Sequence, residues 1–408
     1  MKRGPLVMMM LDSLADAYVR RGDAPFFSSL IPGGRYADIE SLFAFEGIMA
    51  AVITGREPDE TGVFARFAYG PSGSVMRRNP LRVLNFINRH AYYADGERRD
   101  GRQNFPLVKA VRKVLKKYWI SGGFNNLTPY GRLPLALAHQ FRYSMVLGAY
   151  DRTLQLNGFE TLFGRATREG RGGLFHYGRL AGARARLERT PDLDSHALVF
   201  LHTWSHLDTR GHDLGPESDE LRAMTRDCDA ELSEFLPWLQ ARLPDASFIL
   251  FADHGMHPVT KTIDVGAHVR AAIDGRGPLV FVDSTAVRAW GSADDLSALG
   301  EDISGREGVS VLSEDDLRGR RAYFPGGEYG QLFAAADPGY VFAPDYFVGN
   351  EPRKGMHGYF RDTQWLRPSL LWFGPAFETG PAGFTPRVMT DIWKLAVHAM
   401  DAREGNSR

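Results

Sequence analysis

A chain of 408 residues with 49 basic and 49 acidic side chains carries no net charge, so no global field draws it to nucleic acid or to an anionic membrane. Apolar residues make up 44%, enough for a large core, and the length suits two or three domains or one large α/β domain with insertions. The single cysteine, Cys228, excludes an intramolecular disulfide framework and a cysteine-based metal site, and suits a reducing cytosol.

The chain opens MKRGPLVMMMLDSLADAYV. Two basic residues precede a short apolar run, Leu6–Leu11, which stops at Asp12 with no small-residue cleavage site behind it; that is too short for a signal-peptide core. It reads as the first buried strand. No run approaches the length of a membrane span, and a cytoplasmic protein is expected. SLFAFEGIMAAVITGREPDETG, residues 41–62, contains a helix closed by Thr54-Gly55. Residues 65–195 are rich in aromatic and basic side chains, and NPLRVLNFINRHAYY and LVKAVRKVLKKYWISGG within them read as helices. The second carries Lys109, Arg112, Lys113, Lys116 and Lys117, first of all a solvated helix face, with contact to an anionic substrate, nucleic acid or a membrane surface as the other readings.

Three later apolar runs also end in polar residues or turns: Ala197–Leu201, Phe248–Ala252 before Asp253, and Leu370–Phe373. Runs apolar on consecutive residues suit strands buried on both faces, as in a parallel sheet. Between them Leu221, Met224, Cys228, Leu232 and Leu236 recur at helical spacing. GPLVFVDSTAVRAWG reads as a strand in a smaller insertion. Alternating strands and helices argue for an α/β fold with ligands at the carboxyl ends of the strands. The expected plan is core over 1–64, a helical cap over 65–195, metal-binding core over 196–274, a small mixed insertion over 275–350 and the last part of the core over 351–408.

Chemistry-bearing residues collect at those strand ends. Asp12 follows the first run. WSHLDTRGHDLGPESDE sets Asp208 four residues before His212, so that a carboxylate and an imidazole can face one ion. FADHGMHPV places Asp253 and His254 where Gly255 permits a sharp turn, and KGMHGYF flanks His357 with glycines. Singly, such an Asp is usually a cap or turn residue, and a lone His a hydrogen-bonded surface group. Together they are three Asp and three His from four separated segments.

In this order the stretches MLDSL, VITGREPDETGVF, LDTRGHDLGP, ADHGM and GMHGYF, spanning residues 6 to 360, resemble the alkaline phosphatase superfamily, in particular its nucleotide pyrophosphatase and type I phosphodiesterase branch. The resemblance implies a central, mainly parallel sheet flanked by helices and two divalent ions, Zn2+ first and Mn2+ second. Carried over by position, one ion would be held by Asp208, His212 and His357, the other by Asp12, Asp253 and His254. Apart from the resemblance, two cations can clamp a phosphoryl group, and His with Asp suits zinc or manganese better than magnesium alone.

The resemblance also implies a Ser or Thr nucleophile nine residues before the Thr54-Gly55 pair, where this chain has Phe45. No Ser or Thr lies between Leu42 and Ile53, and Ile48 replaces the Asn that often follows the nucleophile. Three readings stay open. Water or a substrate hydroxyl attacks directly; Glu46 serves as ligand, base or nucleophile, against a plain role as a first-turn acid; or the site binds metal without turnover. Ser41, on the preceding strand, would need a shifted backbone. The expected activity is a two-metal phosphoesterase or phosphoryl/nucleotidyl transferase acting on a phosphodiester or pyrophosphate-like small anionic ester. Biosynthetic group transfer or elimination on a phosphate or sulfate ester is the alternative. His257 and Lys261 are substrate-binding candidates whose plain roles are a surface turn and an exposed cation. His202 and His206 are equally ambiguous, and no nucleic-acid partner is expected.

Overall fold

The computed structural model describes residues 4–43, 47–71, 137, 139–144, 150–347, 349–350, 352–378 and 384–402. Phe45, Glu46, the basic run from Lys109 to Lys117 and the two helices expected around it lie outside the described residues.

Six strands form the central sheet: β1 (Leu6–Leu11), β2 (Arg35–Asp38), β3 (Gly173–Tyr177), β4 (Leu198–Thr203), β5 (Ser247–Phe251) and β6 (Ser369–Phe373). Their order is β2-β6-β5-β1-β4-β3. β1 pairs in parallel with β4 (Leu6 opposite Leu198) and with β5 (Leu6 opposite Ser247), and β3 pairs in parallel with β4. β6 alone runs against its neighbours β5 and β2. The sheet is therefore mainly parallel, and the carboxyl ends of β1, β3, β4 and β5 share one edge.

All six residues of β1 are buried because both faces are covered. Side chains alternate across a strand, so Val7, Met9 and Leu11 enter one apolar cluster and Leu6, Met8 and Met10 the other. On the first face the long helix Asp219–Arg242 supplies Leu221, Cys228, Leu232 and Leu236, the spacing seen in the sequence. On the second face α1 (Gly47–Thr54) presents Ile48, Met49, Val52 and Ile53, and the helix Asp391–Asp401 presents Ile392, Leu395 and Met400. Each such aliphatic side chain contributes roughly 1.5–3 kcal/mol by leaving water.

β3 lies within the stretch 65–195, so that stretch contributes a strand to the central sheet. A second, antiparallel sheet is built from Leu279–Asp283, Ala286–Trp290, Leu332–Ala336 and Val309–Leu312, with the helix Ala293–Ser304 packed on it. The tip of its first hairpin reaches the central sheet's carboxyl edge: Thr285 Oγ1 donates to the Gly358 carbonyl at 2.8 Å, one residue from His357. Among the described residues no helix is long and apolar enough to cross a membrane.

Candidate metal centre

The parallel strands deliver their ligand candidates to one edge. Asp12 follows β1, and Asp253 and His254 follow β5. Beyond β4 the chain turns through Trp204 into α2 (Ser205–Leu214), whose turns bring Asp208 and His212 to the same side. Gly255 is required by a close approach rather than by a turn conformation. A Cβ there would collide with the Trp365 carbonyl, and the Gly255 amide donates to the Leu366 carbonyl at 3.0 Å.

All six candidates meet. Asp208 Oδ1 lies 3.4 Å from His212 Nε2, 3.6 Å from His357 Nε2 and 3.9 Å from His254 Nε2. His254 Nε2 lies 3.4 Å from Asp253 Oδ2 and 3.8 Å from Asp12 Oδ1. Two groups have ligand atoms within 4.8 Å of one another: Asp208, His254 and His357, and Asp12, Asp253 and His254. His254 thus belongs to both, and its ring stacks on His357 at 3.6 Å. The imidazoles are oriented from behind. His212 Nδ1 faces the Gly355 carbonyl at 3.0 Å and His254 Nδ1 the Gly255 carbonyl at 2.9 Å. An Nδ1–H donated there leaves each Nε2 as a bare lone pair toward the cluster.

The electrostatics favour an added cation. Burial, then the neighbouring charges of Asp253 and Asp208, push the Asp12 carboxyl well above its usual range. Burial, reinforced by His254 and His212, holds the His357 imidazole well below its usual value. Burial lowers His202 to about 4. Asp12 Oδ1 and Asp208 Oδ1 are buried without a hydrogen-bond partner. Among the described residues no Lys or Arg pairs with Asp12, Asp208 or Asp253. Orphaned carboxylate oxygens facing bare imidazole nitrogens are a donor set that fits zinc or manganese.

Beside the cluster is a cavity of about 780 Å³. Ile48, Met49, Tyr150, Phe175 and Tyr177 form an apolar and aromatic wall; Arg66 and Arg353 line the cavity too, Arg353 with its Nη1 on Asp213 at 3.0 Å. Of these seven the sequence marks only Ile48, as the residue in place of the Asn; Met49 follows it, Arg66 and Arg353 lie close to the motifs VITGREPDETGVF and GMHGYF, and Tyr150, Phe175 and Tyr177 carry no motif of their own.

The remaining candidates separate. His202 reaches the cavity, with Nε2 3.1 Å from Asp12 Oδ2. His206 turns away to Cys228, Nε2 to Sγ 3.3 Å. His257 and Lys261 do not line the cavity. His257 Nδ1 faces the next residue's carbonyl, Pro258, at 2.8 Å. Lys261 is taken by Glu307 at 2.5 Å and the Tyr340 hydroxyl at 3.1 Å, partners far off in sequence. Ser41 Oγ donates to the Asp253 carbonyl at 2.8 Å, so it braces a ligand-bearing loop.

Fold and site together define an α/β protein of the alkaline phosphatase type. The family model for type I phosphodiesterase / nucleotide pyrophosphatase matches residues 6–360. The chain belongs to that family. Human ectonucleotide pyrophosphatase/phosphodiesterase family member 5 is 25% identical over 213 residues, 48% of this chain and 41% of the human protein. The match thus spans less than half of that relative. In structure, murine ectonucleotide pyrophosphatase/phosphodiesterase 5 superposes with a TM-score of 0.63 at 15% identity, covering 97% of this chain and 95% of that one. An inactive variant of the murine protein in complex with AMP gives the same TM-score and identity. The human protein gives 0.65 at 14% identity, over 97% and 95% of the two chains. At such identities these likenesses speak to the fold.

Proposed function

We propose that this chain is a two-metal phosphoesterase acting on a phosphodiester or pyrophosphate linkage of a small, nucleotide-like molecule, without a Ser or Thr covalent intermediate. The observation that carries the reading is the convergence of Asp12, Asp208, His212, Asp253, His254 and His357 beside the cavity, with two buried carboxylate oxygens left unpartnered. Asp12, Asp253 and His254 would hold one cation, and Asp208 and His357, with His212 alongside, the other; Zn2+ suits the set best and Mn2+ next. Bound there, a pair of cations supplies charge stabilisation at the attacking and leaving oxygens of a phosphoryl group.

The chain's own residues do the rest. Tyr150, Phe175 and Tyr177 offer faces to a flat, apolar leaving group, and Arg66 and Arg353 stand on the same cavity wall, Arg353 shared with Asp213. A complex of AMP with the murine relative is consistent with a nucleotide-sized occupant. Phe45 in the nucleophile position supports direct attack by water or by a substrate hydroxyl.

Turnover of a chromogenic phosphodiester with added zinc or manganese tests the activity. Stereochemistry at a chiral phosphorothioate tests the route: direct attack inverts the phosphorus, and retention would restore a covalent intermediate. Product formed on an added alcohol rather than on water would mark a transferase.

A further inference from the structure

We propose that His202 is a positioning residue for Asp12: it holds Oδ2 so that Oδ1 is presented to a cation shared with Asp253 and His254. The inference rests on the metal reading above and adds a residue to it.

Asp12 and Asp253 are built alike. Asp253 commits Oδ1 to two backbone amides, Ser13 N at 3.3 Å and its neighbour His254 N at 3.1 Å, and turns Oδ2 to His254 Nε2 at 3.4 Å. Asp12 commits Oδ2 to His202 Nε2 at 3.1 Å, and its Oδ1, buried and without a hydrogen-bond partner, lies 3.8 Å from His254 Nε2. In each, one oxygen is fastened and the other is left for a ligand. A carboxylate coordinating a cation only accepts hydrogen bonds, so the shared proton sits on Nε2 of His202.

His202 is itself held. Its ring takes an edge-to-face contact from Tyr177 at 4.7 Å and 89°. Tyr177 ends β3, His202 is the penultimate residue of β4, and Asp12 follows β1. These are three successive strands of the parallel sheet; the register sets Tyr177 opposite His202 and His202 opposite Met10, two residues before Asp12, so the three side chains gather at its carboxyl edge. His202 belongs to neither three-residue ligand group, so it acts through Asp12. Fastening of this kind fixes a ligand's orientation, and its loss typically weakens metal binding 10- to 100-fold.

The test uses full-length protein stripped by a chelator and titrated with Zn2+ against a chromophoric competitor, with Co2+ absorption as a second readout. Wild type is expected to take up two cations. His202→Phe keeps a ring for Tyr177 but removes the donor. It should weaken one of the two cations about 10- to 100-fold, leave the other unchanged and leave the metal-free melting temperature near wild type. His202→Gln, whose amide N–H reaches as far as Nε2, should restore binding to within a few-fold. Two cations bound equally well by wild type and His202→Phe would overturn the positioning role alone. An equal loss at both sites with a lower metal-free melting temperature would assign His202 to folding instead. No zinc uptake by wild type would overturn the metal reading and this inference with it.

Discussion

In the small antiparallel sheet Asp283 is buried, and its Oδ2 accepts from Arg288 Nε at 2.5 Å. Arg288 is fully buried too and donates from Nη1 to the carbonyls of Phe67 and Tyr329. At the carboxyl edge of the central sheet, Asp12 is buried as deeply in kind, but its charged neighbours are Asp253 and Asp208, and its nearest basic partners are imidazoles. One region contains its own countercharge. The other gathers carboxylates that repel one another, and among the described residues no Lys or Arg is paired with them. In the first, burial is matched inside the chain; in the second, on the proposed reading, the mismatch would be offset by a bound cation.

That contrast can be broken at either end. Asp253→Ala should lower cleavage of a chromogenic phosphodiester roughly a thousandfold, equivalent to about 4 kcal/mol. Its metal-free form loses a repelling carboxylate but also the acceptor for the Ser13 and His254 amides, so Asp253→Asn, which keeps an acceptor oxygen, is the variant whose metal-free form should melt no lower than wild type. Activity intact with only a lower melting temperature would make the cluster structural. Arg288→Met should cost about 3–5 kcal/mol in urea unfolding, because it leaves the Asp283 charge buried and alone. Pairing it with Asp283→Leu should recover most of that loss. A double variant no better than Arg288→Met would mean that the guanidinium's bonds to Phe67 and Tyr329 matter more than the ion pair.

The same contrast bears on what the sequence reveals. β1, β4, β5 and β6 are visible because strands covered on both faces must be apolar on consecutive residues, and Asp12, Asp208, His212, Asp253 and His254 are visible because they follow such runs, whereas His357 shows only through the glycines that flank it. β3, with Gly173, His176 and Tyr177 among its five residues, lies at the sheet edge and needs apolar side chains only at Leu174 and Phe175, so it leaves no such run. β2 occupies the other edge, and none of its four residues is fully buried. Which ligands group together is a tertiary matter as well: nothing in ADHGM tells that His254 stands between both groups, or that His202 reaches Asp12 across a strand pair. Lys261 reads as a free cation until the fold brings Glu307 beside it.

Acid should sharpen the comparison by a smaller margin. Burial pushes His202 down to about 4 from an ordinary value of 6.5, and lowers His357 and His176 as well. These imidazoles stay neutral in the fold while unfolded ones take up protons. The unfolded state then binds more protons, so stability rises with pH and is lost as pH falls from 6.5 toward about 4. Asp12, raised by burial, opposes this, since its ionisation on going to higher pH disfavours the fold. Thermal melts in chelator should therefore show an acid loss that steepens in Asp12→Asn and flattens in His202→Phe. A flat profile in all three would mean that the edge is hydrated rather than dry.

The smallest effect belongs to the backbone that joins β1 to the cluster. Ser13 has φ 68°, in the left-handed region, although it is not glycine. That conformation costs a side-chain-bearing residue about 1–2 kcal/mol, and here it aims the Ser13 amide at Asp253 Oδ1. Ser13→Gly keeps the amide and removes the strain, while the freer unfolded chain takes back roughly 0.5–1 kcal/mol. The expected net gain is about 0.5–1 kcal/mol in urea unfolding, with phosphodiester turnover unchanged. Ser13→Val, which is stiff at Cβ and poorly suited to positive φ, should lose stability instead. If Ser13→Gly keeps its fold and its metal but turns over many-fold more slowly, the Ser13 hydroxyl at the end of β1 takes part in the chemistry.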